Sequence, residues 1–372
     1  MEHWIHTYRV KNNGSICFRP AVPNLAPTFV LRLCLLLQVA CLTLPASYGQ
    51  KGRVVELFIH SQALEGNLLG DSPDREVLVY LPPSYDTAHE RRYPVVYALH
   101  GNAANGSLNL KAYYGSPVLE TIDPLIGEGK VREIIVVQPN SENRYGGSQY
   151  ANSTVSGNWA DFIVLDLVAY IDRNYRTLAK PESRGLTGHS MGGRGALYLS
   201  LKYPRTFSVV CATSPGQMAF QRTEIGDDES WRKILTATGP SFSSQREIRK
   251  LLGYSVAFSP NANKPPFYAD FPKALIGNSL AVNEDVMKRW ADFDPVQMIV
   301  KYAAPYRDLR VLYIDCGTSD RLIDNNRLFS NILTRENIPH VFDEYDGGHS
   351  DKKGERFATK VLPMFSKYLI FE

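Results

Sequence analysis

Leu186-Thr187-Gly188-His189-Ser190-Met191-Gly192-Gly193 contains the pattern Gly-x-Ser-x-Gly, and its flanks decide how it is read. Three fixed residues at ordinary usage recur by chance in roughly one chain in ten of this length, so the pattern alone settles little. Arg184 to Thr187 reads as a short strand, and Arg194 to Tyr203 reads as a helix stopped by Pro204. Strand, tight turn and helix are the setting in which a serine is lifted above a sheet with its hydroxyl presented as a nucleophile. Gly188, Gly192 and Gly193 then have a mechanical reason to lack side chains, because a Cβ would clash where the turn tightens or where the helix presses on neighbouring strands.

Outward from this turn the chain has a regular rhythm. Val54 to Ile59 and Glu76 to Leu81, separated by Gly66-Asn67 and Asp71-Ser72-Pro73-Asp74, read as an antiparallel opening hairpin. Val95–Leu99, Ile134–Val137, Gly185–Thr187, Ser208–Cys211 and Val311–Ile314 are near-continuous apolar runs with helical stretches between most of them. Strands of that kind are buried on both faces, so the fold class is α/β with a mostly parallel, doubly wound sheet. Helices are expected at about 160–175 and 354–368. Two segments break the rhythm. Residues 139–158 are polar, glycine-rich and tyrosine-bearing, and residues 216–305 are too long for an ordinary connection, so the latter read as an inserted lid over the strand ends.

With 372 residues and 44% hydrophobic content the chain can build one large core. The net charge of +3 resides in residues 1–49, where Arg9, Lys11, Arg19 and Arg32 oppose Glu2, and the remainder is neutral. Neither a basic run nor an interleaved basic and aromatic patch is present, which argues against a nucleic-acid partner. Residues 33–44 form a short apolar run after Arg32, followed by small residues at Ala46, Ser47 and Gly49. A membrane span needs about 20 apolar residues, so the run reads as a secretory signal cleaved after Gly49, giving a secreted or periplasmic domain over 50–372 with no stable membrane span. The first 28 residues are unusual in front of such a signal, and translation is expected to start near Val30. Cys17, Cys34 and Cys41 precede the cleavage point, and Cys211 and Cys316 end apolar strands, so no disulfide framework is expected.

A serine hydroxyl becomes nucleophilic at neutral pH when a base takes its proton and a third group orients that base. Behind an elbow of this type the order along the chain is serine, acid, histidine. After Ser190 only His340 and His349 remain. His340 begins a strand and reads as structural, whereas His349 lies in Asp346-Gly347-Gly348-His349-Ser350, a loop beyond that strand, and is the expected base. The acid is expected in Asp315-Cys316-Gly317-Thr318-Ser319-Asp320-Arg321-Leu322-Ile323-Asp324. Asp320 is favoured because Gly317 permits a turn that aims it back; Asp315 reads as strand and Asp324 as the cap of a helix from about Asn325. The tetrahedral oxyanion needs backbone donors, for which Met191 and Asn102 are the candidates, with His100 shaping the second donor's loop. There is no Cys-x-x-Cys, His-Glu-x-x-His, P-loop or dinucleotide fingerprint, so neither metal nor cofactor is expected.

The chain resembles the esterase family of α/β-hydrolases that includes esterase D, feruloyl esterases, S-formylglutathione hydrolases and mycolyltransferases. The resemblance is carried by Val79-Tyr80-Leu81-Pro82-Pro83-Ser84-Tyr85-Asp86, Leu99-His100-Gly101, Gly157-Asn158-Trp159, Gly188-His189-Ser190-Met191-Gly192-Gly193, Cys316-Gly317-Thr318-Ser319-Asp320 and Gly347-Gly348-His349. It implies an α/β-hydrolase fold and a cofactor-free serine ester hydrolase with Ser190, Asp320 and His349 as triad, acting on a small-molecule or carbohydrate ester. Acyl transfer to a sugar or lipid hydroxyl and thioester hydrolysis would use the same residues, and a non-catalytic binding module is the reading from another class. The formylglutathione branch carries a cysteine-containing loop where this chain has Asn102-Ala103-Ala104-Asn105, and the feruloyl branch often has a tryptophan where it has Ser350-Asp351-Lys352-Lys353. Trp159, Tyr150 and, in the proline-stiffened segment of the insertion, Phe267 are the expected substrate contacts.

Overall fold

Val95, Tyr97 and Leu99 face one side of a sheet while Val96 and Ala98 face the other, and all five are buried. That double burial is why the strand is apolar throughout, and it recurs across the central sheet. The computed structural model describes residues 51–103, 118–220, 225–239 and 245–372. The N-terminal segment 1–49, read as an extension with an export signal, lies outside the described residues.

Eight strands form the sheet: β1 (Arg53–His60), β2 (Asp74–Leu81), β3 (Val95–Leu99), β4 (Ile135–Pro139), β5 (Arg184–His189), β6 (Val209–Thr213), β7 (Val311–Gly317) and β8 (Val341–Tyr345). Their order is β1-β2-β4-β3-β5-β6-β7-β8. β1 pairs antiparallel with β2, and β2 antiparallel with β4, while the remaining pairs are parallel. The opening hairpin and the parallel body thus follow the sequence pattern. Helix α1 (Val118–Gly127) and the C-terminal helix at 353–368 (α9) cover one face, with Ile122, Phe357, Val361 and Phe365 against Val96, Val136 and Val209. The helix at 159–174 (α2), α3 (Met191–Lys202) and α8 (Ile323–Arg335) bury Phe162, Leu197 and Phe329 on the other face.

Among its described residues the span 216–305, expected as an insertion over the strand ends, holds helices and a hairpin, while its proline-rich stretch 259–269 forms neither helix nor regular strand. It contains α4 (Asp228–Thr236), α5 (Arg246–Phe258), a hairpin of Lys273–Ile276 with Ser279–Val282, α6 (Glu284–Ala291) and α7 (Pro295–Lys301). Trp231, Ile248, Leu251 and Phe267 form a core of their own with Tyr145 and Val155 from the polar segment before α2. Helix caps start three of these helices locally: Asp227 accepts from Ser230 N at 2.8 Å, Asn283 from Val286 N at 3.4 Å and Asp294 from Val296 N at 2.9 Å.

Parallel strands end at one edge of the sheet, and α3 must start there against the end of β3. A Cβ on Gly192 would lie 2.1 Å from the Leu99 carbonyl oxygen, and one on Gly188 would lie 2.3 Å from the Gly192 carbonyl carbon. Neither neighbour is a flexible side chain, so the backbone itself would have to shift. Gly192→Ala is therefore expected to destabilise the fold by about 1–3 kcal/mol or to block folding, read as a fall in Tm; an unchanged Tm would show that α3 can move away from β3 without cost.

Candidate active site

Ser190 lies between the last residue of β5 and the first of α3 with φ 57° and ψ −119°, a conformation that side-chain-bearing residues seldom adopt. The turn is held by its backbone: Ser190 N donates to Thr213 O at 3.1 Å, and Ser190 O accepts from Arg194 N at 3.0 Å and Gly216 N at 2.8 Å. Such strain costs on the order of 1–3 kcal/mol and persists where surrounding bonds over-determine it. Here it tips the hydroxyl out of the sheet, and His349 Nε2 lies 2.8 Å from Ser190 Oγ.

The other face of that imidazole meets the acid. His349 Nδ1 is 2.7 Å from Asp320 Oδ2, and Asp320 Oδ1 accepts from Leu322 N at 3.0 Å. Burial alone would raise the Asp320 pKa, but the hydrogen bonds from His349 and Leu322 N outweigh it and hold the carboxyl below its ordinary value. The two loops are laced by main chain: Thr318 N donates to Tyr345 O at 2.8 Å and Ser319 N to Gly347 O at 3.0 Å. The Asp320 N–H bonds Gly317 O at 3.0 Å, but Gly317 adopts no left-handed conformation, and it is its missing side chain that the site needs. A Cβ there would lie 2.2 Å from Gly347 O, so the acid loop and the histidine loop could not touch.

The alternative acids are engaged elsewhere. Asp315 lies within β7 and accepts from Arg356 Nε at 2.9 Å and Tyr313 OH at 3.0 Å. Asp324 is not a cap: α8 begins at Ile323, and Asp324 in its first turn pairs with Arg327 at 3.1 Å. His340 contacts Ser330 Oγ at 2.8 Å and Ile338 O at 2.9 Å, a structural role. His100 accepts from Ser141 N at 2.8 Å through Nε2, so its Nδ1 carries the proton and donates to Gly101 O at 2.7 Å. Burial pushes its pKa down to about 4, and the neutral ring shapes the loop carrying Asn102. Gly192 lets α3 start against Leu99 and His100, and Met191 and Asn102 border the same cavity as Ser190 and His349. Met191 opens α3, where the first N–H groups have no partner within the helix.

The cavity has a volume of about 680 Å³. Its floor is Gly101, Asn102, Ser190, Met191 and His349, and one wall is Arg246, Glu247, Lys250, Leu251 and Tyr254 of the insertion's α5. Three expected substrate contacts are not in the lining. Trp159 is fully buried, donates from Nε1 to Ser156 O at 2.7 Å and packs edge-on to Phe162. Tyr150 is fully buried, and its hydroxyl donates to His100 O at 2.9 Å. Phe267 belongs to the insertion's core and meets Phe271 at a ring distance of 5.9 Å. Aromatic side chains in polar or proline-rich segments read as substrate contacts, whereas the segments themselves fold inward.

Residues 72–367 match the model of the Putative esterase family. The chain belongs to that family. Esterase Rv1288 of Mycobacterium tuberculosis is 27% identical over 274 residues, 73% of this chain and 52% of that protein, so the chain spans about half the length of this curated relative. Among solved structures, a ferulic acid esterase superposes with a TM-score of 0.60 at 21% identity, covering 86% of this chain and 99% of that one. An S-formylglutathione hydrolase from Staphylococcus aureus superposes with a TM-score of 0.54 at 19% identity, covering 84% and 99%. At these identities the likeness establishes the α/β-hydrolase fold.

Two further residues of the candidate site escaped the sequence pattern. His189, the variable residue before the serine, lies 2.6 Å through Nε2 from the carbonyl oxygen of His349. Burial first, and the neighbouring His349 second, push its pKa down to about 3, so it stays neutral and donates, tethering the base to the elbow. Arg194, one turn into α3, reads in the sequence only as the start of a helix, and it is buried and borders the cavity. Because Tyr150 and Phe267 are core residues, Tyr150→Ala and Phe267→Ala are expected to lower stability by about 3–5 kcal/mol with little change in the ranking of ester substrates. Altered ranking at unchanged Tm would return them to the pocket.

Proposed function

We propose that the protein is a serine carboxylic ester hydrolase with Ser190 as nucleophile, His349 as general base and then acid, and Asp320 as the group that orients the imidazole. The observation that carries this reading is the continuous path from Ser190 Oγ to His349 Nε2 at 2.8 Å and from His349 Nδ1 to Asp320 Oδ2 at 2.7 Å, opening onto a cavity. As Ser190 attacks the ester carbonyl, its proton passes to His349 Nε2, and the imidazolium is stabilised by the buried Asp320 carboxylate. The Met191 and Asn102 N–H groups stabilise the oxyanion. His349 then gives the proton to the departing alcohol, leaving an acyl-enzyme that water hydrolyses by the reverse proton path.

Small aryl or carbohydrate esters are the proposed substrates, in keeping with relatives named as ferulic acid and acetyl esterases. We also propose that the domain is exported and acts in a secreted or periplasmic location. No helix among the described residues is long and apolar enough to cross a membrane.

Ser190→Ala and His349→Ala are expected to lower kcat on an aryl acetate by several orders of magnitude while Tm is kept, and Asp320→Asn by about 10⁴ through a misoriented imidazole. A neutral fluorophosphonate should label Ser190 in the native protein. Retention of a tenth of the activity by the serine variant would refute the assignment. Export is checked separately by mass spectrometry, where the mature chain should begin at or near Gln50; peptides from residues 1–28 on exported protein would contradict it.

A further inference from the structure

Among the described residues of the pocket lining, the buried side-chain polar atoms that lack a partner are Asn102 Nδ2 and Arg194 Nε and Nη1, and all three are donors. Arg194 is 1% exposed. Its Nη2 donates to Phe293 O, and its guanidinium lies 4.8 Å over the Phe258 ring and 5.5 Å over the Phe220 ring. The carboxylate whose field reaches it, Asp294, accepts instead from the backbone N–H groups of Phe220, Val296 and Gln297. A buried cation held by one carbonyl and two aromatic faces is incompletely compensated, and unpaired buried donors are the uncommon exceptions in native proteins. An acceptor-rich ligand in the cavity would complete both groups.

The charge around them has the same sense. Arg246, Lys250, Arg321 and Lys353 also line the pocket, and Glu247 is the one carboxylate residue among the described lining, already paired with Lys250 at 2.7 Å. Among the described lining five cations stand against one acid around the proposed nucleophile, whereas the sequence beyond residue 49 is neutral, so this lining is more positive than the domain as a whole. Clefts lined by one sign of charge concentrate ligands of the other sign. Resting on the ester-hydrolase reading, we propose that the preferred substrates are esters that carry an anion, a carboxylate or a phosphate, on the acyl or alcohol part. Arg194 pairs with that anion, Asn102 Nδ2 donates to a second acceptor of the substrate, and Arg246 and Arg321 at the exposed edge draw the substrate in. The anion takes no part in bond making; it orients the ester above Ser190.

The test compares matched esters: 4-nitrophenyl hemisuccinate against 4-nitrophenyl butyrate, and 4-acetoxybenzoate and 4-acetoxyphenyl phosphate against phenyl acetate. At least one anionic ester should exceed its neutral counterpart by about tenfold or more in kcat/KM, and the arm that does so distinguishes carboxylate from phosphate and acyl from alcohol side. The advantage should shrink several-fold as salt is raised from about 20 mM to about 500 mM. Arg194→Gln should bring the anionic-to-neutral ratio close to one, and Arg194→Lys should keep part of it. If Arg194→Gln fails to fold, the exposed pair Arg246→Gln and Arg321→Gln should still lower the ratio, through KM more than kcat. Cleavage of neutral esters as fast as all three anionic ones, with Ser190 labelled by the neutral fluorophosphonate, would overturn the anion preference and leave the hydrolase reading standing. Failure to cleave any ester, with Ser190 unlabelled, would overturn both.

Discussion

The absence of a Cβ at Gly192 is the constraint on which the site depends. With its would-be Cβ 2.1 Å from Leu99 O, residue 192 fixes how closely α3 starts against the end of β3. That approach brings the start of α3 against the Leu99 and His100 carbonyls, and Ser190, two residues earlier, turns with φ 57° and ψ −119°. The turn survives because Thr213 O, Arg194 N and Gly216 N bind the serine backbone from three directions. A relaxed turn would return the hydroxyl toward the sheet and separate it from His349. Local strain is thus sustained by packing and hydrogen bonds elsewhere, and it positions the serine without help from its own side chain.

A second close approach works in the same way on the opposite side of the site. β7 and β8 are parallel neighbours, so their following loops leave the sheet side by side, and Gly317 allows Gly347 to lie against it. Two main-chain bonds lock these loops, and Asp320 and His349 meet at 2.7 Å as a consequence. His189 adds a bond from the elbow strand to the His349 carbonyl, coupling serine and base through residues adjacent in sequence. Asp320, His349 and Ser190 are therefore set by backbone geometry on three strand ends.

That insertion supplies a different kind of control. It has its own apolar core around Trp231, Leu251 and Phe267, and α5 turns Arg246, Lys250 and Tyr254 toward the cavity. Polar side chains of 139–158 fold inward beneath it: Ser153 Oγ donates to Val256 O at 2.5 Å, and Asn143 Oδ1 accepts from Tyr145 N at 3.0 Å. Their polarity satisfies buried backbone where no strand or helix does so. The wall of the cavity is thus shared: Arg246, Lys250 and Tyr254 come from the insertion, whereas Arg194, Arg321 and Lys353 come from α3, the loop after β7 and the start of α9.

The strands were legible in the sequence because burial on both faces demands unbroken apolar runs, as in Val95–Leu99, and because the antiparallel opening pair is separated by turn residues. That Ser190, Asp320 and His349 would meet was legible for a related reason: the elbow turn needs glycine, and loops beyond parallel strands converge on one edge, so chain order alone orders the candidates. Side-chain direction in irregular segments was not legible. Trp159, Tyr150 and Phe267 have the composition of substrate contacts, and only tertiary packing turned them into core, through partners distant in sequence such as His100 for Tyr150. Arg194 is the converse: in the sequence it only opens a helix, but α3 is enclosed by the insertion and the sheet, and the tertiary structure alone leaves its guanidinium buried at the pocket with two donors unmet.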